Sequence, residues 1–183
     1  MAFQPLELAW SGRGEVMTLT GVEWQGGQPL LSGRALFCAF YLNELLLGLL
    51  PHEVAHEGLY SIYEETLRRF AVGIDEADLR RFEMRFLQEI GYGLTLTHDV
   101  SGMAIDPDAV YAYEVERGPV KVSTTSRAPN IVHGSTLVCL SAGEFSERTT
   151  LNESKSLMRE LLQHYLTGRD LETRKIFRDL QDL

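Results

Sequence analysis

Cysteine is nearly absent from this chain: 183 residues carry two, Cys38 and Cys139, and no CxxC pair. That excludes a thiolate zinc site and makes a reduced, cytosolic protein the economical reading. Basic charge is also short, with 17 Lys and Arg against 26 Asp and Glu and a net charge of −9. A surface so acidic does not serve as a general nucleic-acid or membrane binder, because phosphate binding needs basic faces. A local basic patch remains open. GxSxG, a Walker loop and a strand followed by GxGxxG are all missing. Ser11-Gly12-Arg13-Gly14 is glycine-rich, but it joins two strand patterns and reads as a hairpin turn. MAFQPLELAW at the start has neither a basic n-region nor an apolar h-region, so no signal peptide is expected.

What the chain does have is apolar content of 44%, enough for one medium domain with a real core. Its longest apolar run is LLSGRALFCAFYLNELLLGLL at residues 30–50, of helical length and interrupted by the polar pair Asn43-Glu44. Arg34, Asn43 and Glu44 would be costly in lipid, so the run reads as a buried helix and not a membrane span. Composition places it at the centre of the core, covered on nearly all sides. Cys38, inside it, reads as a small buried hydrophobe.

Ahead of this run, residues 6–10 and 15–24 show period-two alternation and predict two half-buried strands. Residues 25–29 form a Gly/Pro linker. Behind it, 51–57 is a loop, 58–72 an amphipathic helix and 75–90 a strong one with acids in its first turn. Leu79, Phe82, Phe86 and Ile90 recur on the buried face of that helix, which Gly91-Tyr92-Gly93 ends. Residues 110–115 and 120–124 predict a hairpin around Arg117-Gly118, while 135–140 could be helix or strand. Residues 151–166 and 171–180 close the chain as helices. The fold class is mainly α with small β portions.

Two groups of residues could carry chemistry. His52-Glu53-Val54-Ala55-His56 formally matches HExxH, and His52 with His56 could support a metal-dependent hydrolase. The motif lies between Pro51 and Gly58, however, too short a space for the long zincin helix, and an exposed loop is the better account. The second group is Arg80, Arg81, Phe82 and Arg85. Basic residues beside an apolar helical face could hold a peptide whose aromatic enters a groove while its acids meet arginine. The plainer account pairs these arginines with Glu83, Glu89 or neighbouring acids.

Several segments together resemble the RecO family of bacterial recombination mediators. These are FQPLEL (3–8), SGRGEVMTL (11–19), LSGRALFCAFYLNELL (31–46), LRRFEMRFLQEIGYGLTLTH (79–98) and GRDLETRKIFRDL (168–180). Their order and spacing cover nearly the whole chain. The resemblance implies residues 1–28 as the remnant of an N-terminal OB-fold barrel, most of which is missing. It implies 29–183 as a helical domain with a zinc-finger-like insertion near 94–134. That insertion should be metal-free here, since His98-Asp99 stand where some relatives carry zinc-binding cysteines. The implied role is DNA repair and homologous recombination by binding, without catalytic residues or cofactor, in the cytoplasm at the nucleoid. Implied partners are the C-terminal tail of single-strand-binding protein, RecR, and single- and double-stranded DNA, with recombinase loading and strand annealing as outcomes. Arg80 lies where relatives present a basic residue to that tail, and Phe82 and Phe86 would support the core beneath. Arg13 and Arg34 are candidate DNA contacts in a chain whose DNA binding should be weak. A helical interaction module without DNA binding is the blander alternative.

Overall fold

The computed structural model describes residues 2–14, 16–27, 29–51, 54–126 and 128–181, and of 57 and 177–181 the backbone only. Two strands, β1 (Leu6–Ser11) and β2 (Thr18–Trp24), precede helices α1 (Gly33–Leu49), α2 (Glu57–Val72) and α3 (Glu76–Glu89). Strands β3 (Val110–Glu114), β4 (Gly118–Val122) and β5 (Ile131–His133) follow, and then α4 (Gly134–Ala142), α5 (Arg148–Tyr165) and α6 (Glu172–Gln181). The class is mainly α with two small antiparallel sheets, as the sequence pattern predicts. No helix among the described residues is long and apolar enough to cross a membrane.

β1 and β2 pair antiparallel, Leu6 opposite Trp24 and Leu8 opposite Val22, until a bulge at Ala9/Trp10 brings Trp10 opposite Leu19. The alternation thus gathers six apolar side chains on one face. That face is bare: Leu6, Leu8, Trp10, Leu19, Val22 and Trp24 are all exposed, Trp24 at 65%. The expected half-burial therefore fails within this chain. A ring contact from the N-terminal segment to the helices is Phe3 edge-on to Phe40, with centroids 5.0 Å apart.

The helices share one core in which Leu42 and Leu45 of α1 cluster with Phe82, Phe86 and Leu87 of α3 and with Met158 and Leu162 of α5. α1 is not buried all round, contrary to the compositional expectation. Cys38, Ala39, Tyr41, Leu42 and Leu45 face inward, whereas Phe40 and Leu47 lie exposed. Its polar break ties α1 to two other helices. Asn43 Oδ1 accepts from the Tyr63 hydroxyl on α2 at 2.6 Å, and Glu44 reaches α6. α3 starts where the sequence pattern places it, because the Asp75 carboxylate accepts from Ala77 N at 3.0 Å and Glu76 and Asp78 favour the dipole. It ends at Gly91, whose φ of +89° suits a residue without Cβ.

The second sheet runs β4-β3-β5, so β3 is central. β5 is a third strand that the sequence pattern does not predict, and the ambiguous segment behind it is helical. α4 meets the insertion at Gly134, where a Cβ would stand 1.9 Å from the Asp106 carbonyl oxygen. Gly134 N and Ser135 N donate to the carbonyls of Ala109 and Pro107, which holds the backbones that close. Glu153 of α5 locks the same corner by accepting from His133 N, the Thr136 hydroxyl and His133 Nδ1.

Candidate functional site

Four elements bring like charges to one place. On α1, Arg34, Cys38 and Tyr41 recur at helical spacing; on α3, Glu76, Leu79 and Arg80; on α5, Lys155, Arg159 and Gln163. The α5–α6 turn adds Leu166, Arg169, Asp170 and Leu171, and α6 adds Arg174 and Lys175. Together they line a cleft of about 690 Å³. Its walls hold seven cations and two carboxylates in a protein of net charge −9. Leu79, Leu166, Leu171 and Cys38 give it apolar ground between the charges.

The cations differ in how free they are. Lys155 pairs with Glu76 at 2.9 Å and Lys175 with Glu172 at 2.6 Å, both near solvent, where such pairs contribute little. Arg34, Arg159 and Arg169 are exposed and have no ion-pair partner among the described residues. Arg80 is buried, its Nη1 2.9 Å from Glu83 Oε2, while its Nε is buried without a hydrogen-bond partner. Such a buried orphan donor is costly.

From the cleft wall a polar chain runs inward. Arg174 Nη2 donates to the Tyr41 hydroxyl at 3.3 Å, and Tyr41 donates to Glu83 Oε1 at 2.5 Å. The Arg174 guanidinium also sits over the Tyr41 ring, 5.6 Å from its centroid. Burial pushes the fully enclosed Glu83 carboxyl above the usual glutamate range, against the pull of Arg80 and the Tyr41 hydrogen bond. Burial, reinforced by Glu83, holds the Tyr41 phenol well above its ordinary value. The Cys38 thiol is likewise raised by burial, against Arg34 and Arg80, so it is a packing group and not an activated nucleophile.

The residues singled out in the sequence separate in space. Arg80 and Arg34 share the cleft. Arg81 and Arg85 lie apart from it, around a small depression with Glu65 and Asp78, to which they are paired. Phe82, only 1% exposed, belongs to the core and stacks near Phe86 at 5.9 Å. Arg13 stands exposed in the β1–β2 turn. The plainer account of the arginines thus holds for pairing, Arg80 with Glu83 included. Sequence reading missed Lys155, Arg159, Arg169, Arg174 and Lys175; the Lys155-Arg159-Gln163 spacing of four was the available signal.

His52 and Glu53 of the HExxH match lie outside the described residues. Val54 to His56 are not helical, since α2 begins at Glu57, and His56 Nε2 is buried without a partner. Among the described residues no cluster of three or more His, Cys, Asp or Glu side chains is placed to hold a metal ion.

Residues 30–175 match the family described as "Recombination protein O C terminal". "DNA repair protein RecO" of Dechloromonas aromatica (strain RCB) is 54% identical over 187 residues, covering 100% of this chain and 77% of that protein. Proteins of the same name from Azoarcus sp. (strain BH72) and Aromatoleum aromaticum (strain DSM 19018 / LMG 30748 / EbN1) are 48% and 46% identical, each again over 100% of this chain and 77% of their own length. With a family match running from α1 into the start of α6 and relatives this similar along its whole length, the chain belongs to the RecO family of DNA repair proteins.

Proposed function

We propose that this chain is a recombination mediator that acts by binding, and that the cleft among α1, α3, α5 and α6 takes the acidic C-terminal tail of single-strand-binding protein. The cleft carries this reading. Seven cations around apolar ground suit a short peptide with several carboxylates and an apolar end, and the volume suits a few residues and not a duplex. Arg34, Arg159 and Arg169, exposed and without an ion-pair partner among the described residues, offer the tail positive charge. RecR and DNA are the further partners, with recombinase loading and strand annealing as the result, in the bacterial cytoplasm.

The bare apolar face of the β1–β2 hairpin supports residues 1–28 as part of an OB barrel whose other strands would cover Trp10, Trp24 and their neighbours. Residues 94–134 then form the insertion of the helical domain. DNA binding by the chain as it stands should be weak, with a shallow dependence on salt, because few phosphates can be neutralised at once.

Titration of a fluorescein-labelled peptide carrying four aspartates and a C-terminal phenylalanine tests the reading, with an affinity on the order of micromolar expected. Arg80→Glu should weaken it about tenfold or more. Because that change also leaves Glu83 facing a like charge, Arg159→Glu, at an exposed position without an ion-pair partner among the described residues, serves as the second variant. An unchanged titration in both would remove the peptide from this cleft.

A further inference from the structure

We propose that Glu44, which is not part of the cleft wall, is the positioning residue that sets α6 in place and thereby presents Arg174 and Lys175 to a ligand. The proposal rests on the cleft being the binding site. Glu44 lies in the polar break of α1, and its carboxylate takes three hydrogen bonds from the start of α6. Oε1 accepts from Glu172 N at 2.6 Å, and Oε2 accepts from Thr173 N at 3.0 Å and the Thr173 hydroxyl at 2.5 Å. Two backbone donors that a helix start leaves unmet are satisfied by a side chain 128 and 129 positions earlier in the sequence.

The location of this clamp matters because, among the residues whose side chains are described, α6 has little else to hold it. It spans ten residues, too few to be stable as a helix by itself. It leaves α5 through Thr167 and Gly168, both in the left-handed region at φ +54° and +76°. Its other anchors among the described residues are buried Leu171 and the Arg174 contact with Tyr41. Arg174 and Lys175, two of the cations of the cleft, sit directly after the clamped residues. An anionic ligand that uses them binds only the docked arrangement of α6, so loss of the clamp lowers its apparent affinity by the fraction that remains docked.

The carboxylate is the part that cannot be replaced. Glutamine keeps one acceptor and turns an NH₂ toward the remaining donors, so Glu44→Gln should behave like Glu44→Ala. Thr173→Val removes one of the three bonds without touching α1 and should show a smaller loss.

The test combines anisotropy titration of the tetra-aspartate, phenylalanine-ended peptide with hydrogen-exchange mass spectrometry of the full chain. Glu44→Ala should weaken peptide binding about tenfold and expose the amides of residues 172–176 to faster exchange, with α3 and α5 protected as before. Arg174→Ala with Lys175→Ala should weaken binding as well. Adding Glu44→Ala to that pair should cost little more, because Glu44 acts through those two side chains. Wild-type affinity in Glu44→Ala, a fully additive loss, or unchanged protection of α6 would each overturn the proposal. If the wild-type chain does not bind the peptide, the peptide reading falls, and the exchange of α6 still decides the clamp.

Discussion

In the helical body, Leu42, Leu45, Phe86 and Leu162 find partners within the chain and are fully enclosed. In the β1–β2 hairpin, Leu6, Leu8, Trp10, Leu19, Val22 and Trp24 align just as regularly, yet water covers them. Both regions follow a period, 3.6 in one and 2 in the other. The difference shows that periodicity specifies a face and a register but not what covers the face. A covered face contributes stability to this chain; a bare one marks where another surface belongs.

Substitutions on the two sides should separate these cases. The largest effect is expected from Phe86→Ala in the common core, a loss of about 3–5 kcal/mol in urea unfolding followed by circular dichroism. A loss below about 1 kcal/mol would mean that the body is packed more loosely than its burial implies. Next is Gly134→Ala, whose Cβ would meet the Asp106 carbonyl oxygen. The backbones of α4 and the insertion would have to part, at a cost of about 1–3 kcal/mol in the same measurement. An unchanged midpoint would show that this corner yields freely.

A third test uses pH. The folded Glu83 carboxyl holds its proton more tightly than an unfolded one, whose pKa is 4.5. Between that value and the higher folded one the native state carries the extra proton. Stability from this group is therefore complete below the window and is lost as pH rises through it. Glu83→Gln cannot titrate, so its melting temperature relative to wild type should climb as pH rises above the unfolded carboxyl's 4.5. A constant difference would show that Glu83 ionises as it does in the unfolded chain. The smallest effect belongs to the hairpin: Leu8→Thr should change stability by no more than about 0.5 kcal/mol, since an exposed strand position loses no packing. A loss above about 1 kcal/mol would place Leu8 against the body and erase the contrast.

How much of this was legible in the sequence depended on range. α3 was legible to within a residue because Asp75, the acids after it and Gly91 are local signals. β5 was not, since its three residues, Ile131–His133, form a strand only through pairing with β3. The extent of α1 was readable, but its bare side was not: nothing in an apolar run says that Phe40 and Leu47 are the ones left outside. Arg80 was readable as a basic residue on an amphipathic helix. The cleft was not, because its cations come from α1, α3, α5 and α6 and meet only in the tertiary fold. Asn43-Glu44 shows the same limit: the break was visible, while its partners, Tyr63 and the start of α6, were not.

The hairpin has a practical consequence of its own. Both tryptophans of the chain, Trp10 and Trp24, lie on its bare face, and the helical body has none. Light absorbed at the red edge of the protein spectrum therefore reports on the hairpin alone, while tyrosines such as Tyr41, Tyr63 and Tyr111 report on the body. Any strand or partner that settles on that face should shift the indole emission to the blue and shield it from a soluble quencher. The molecule thus carries a built-in optical sensor for this bare face.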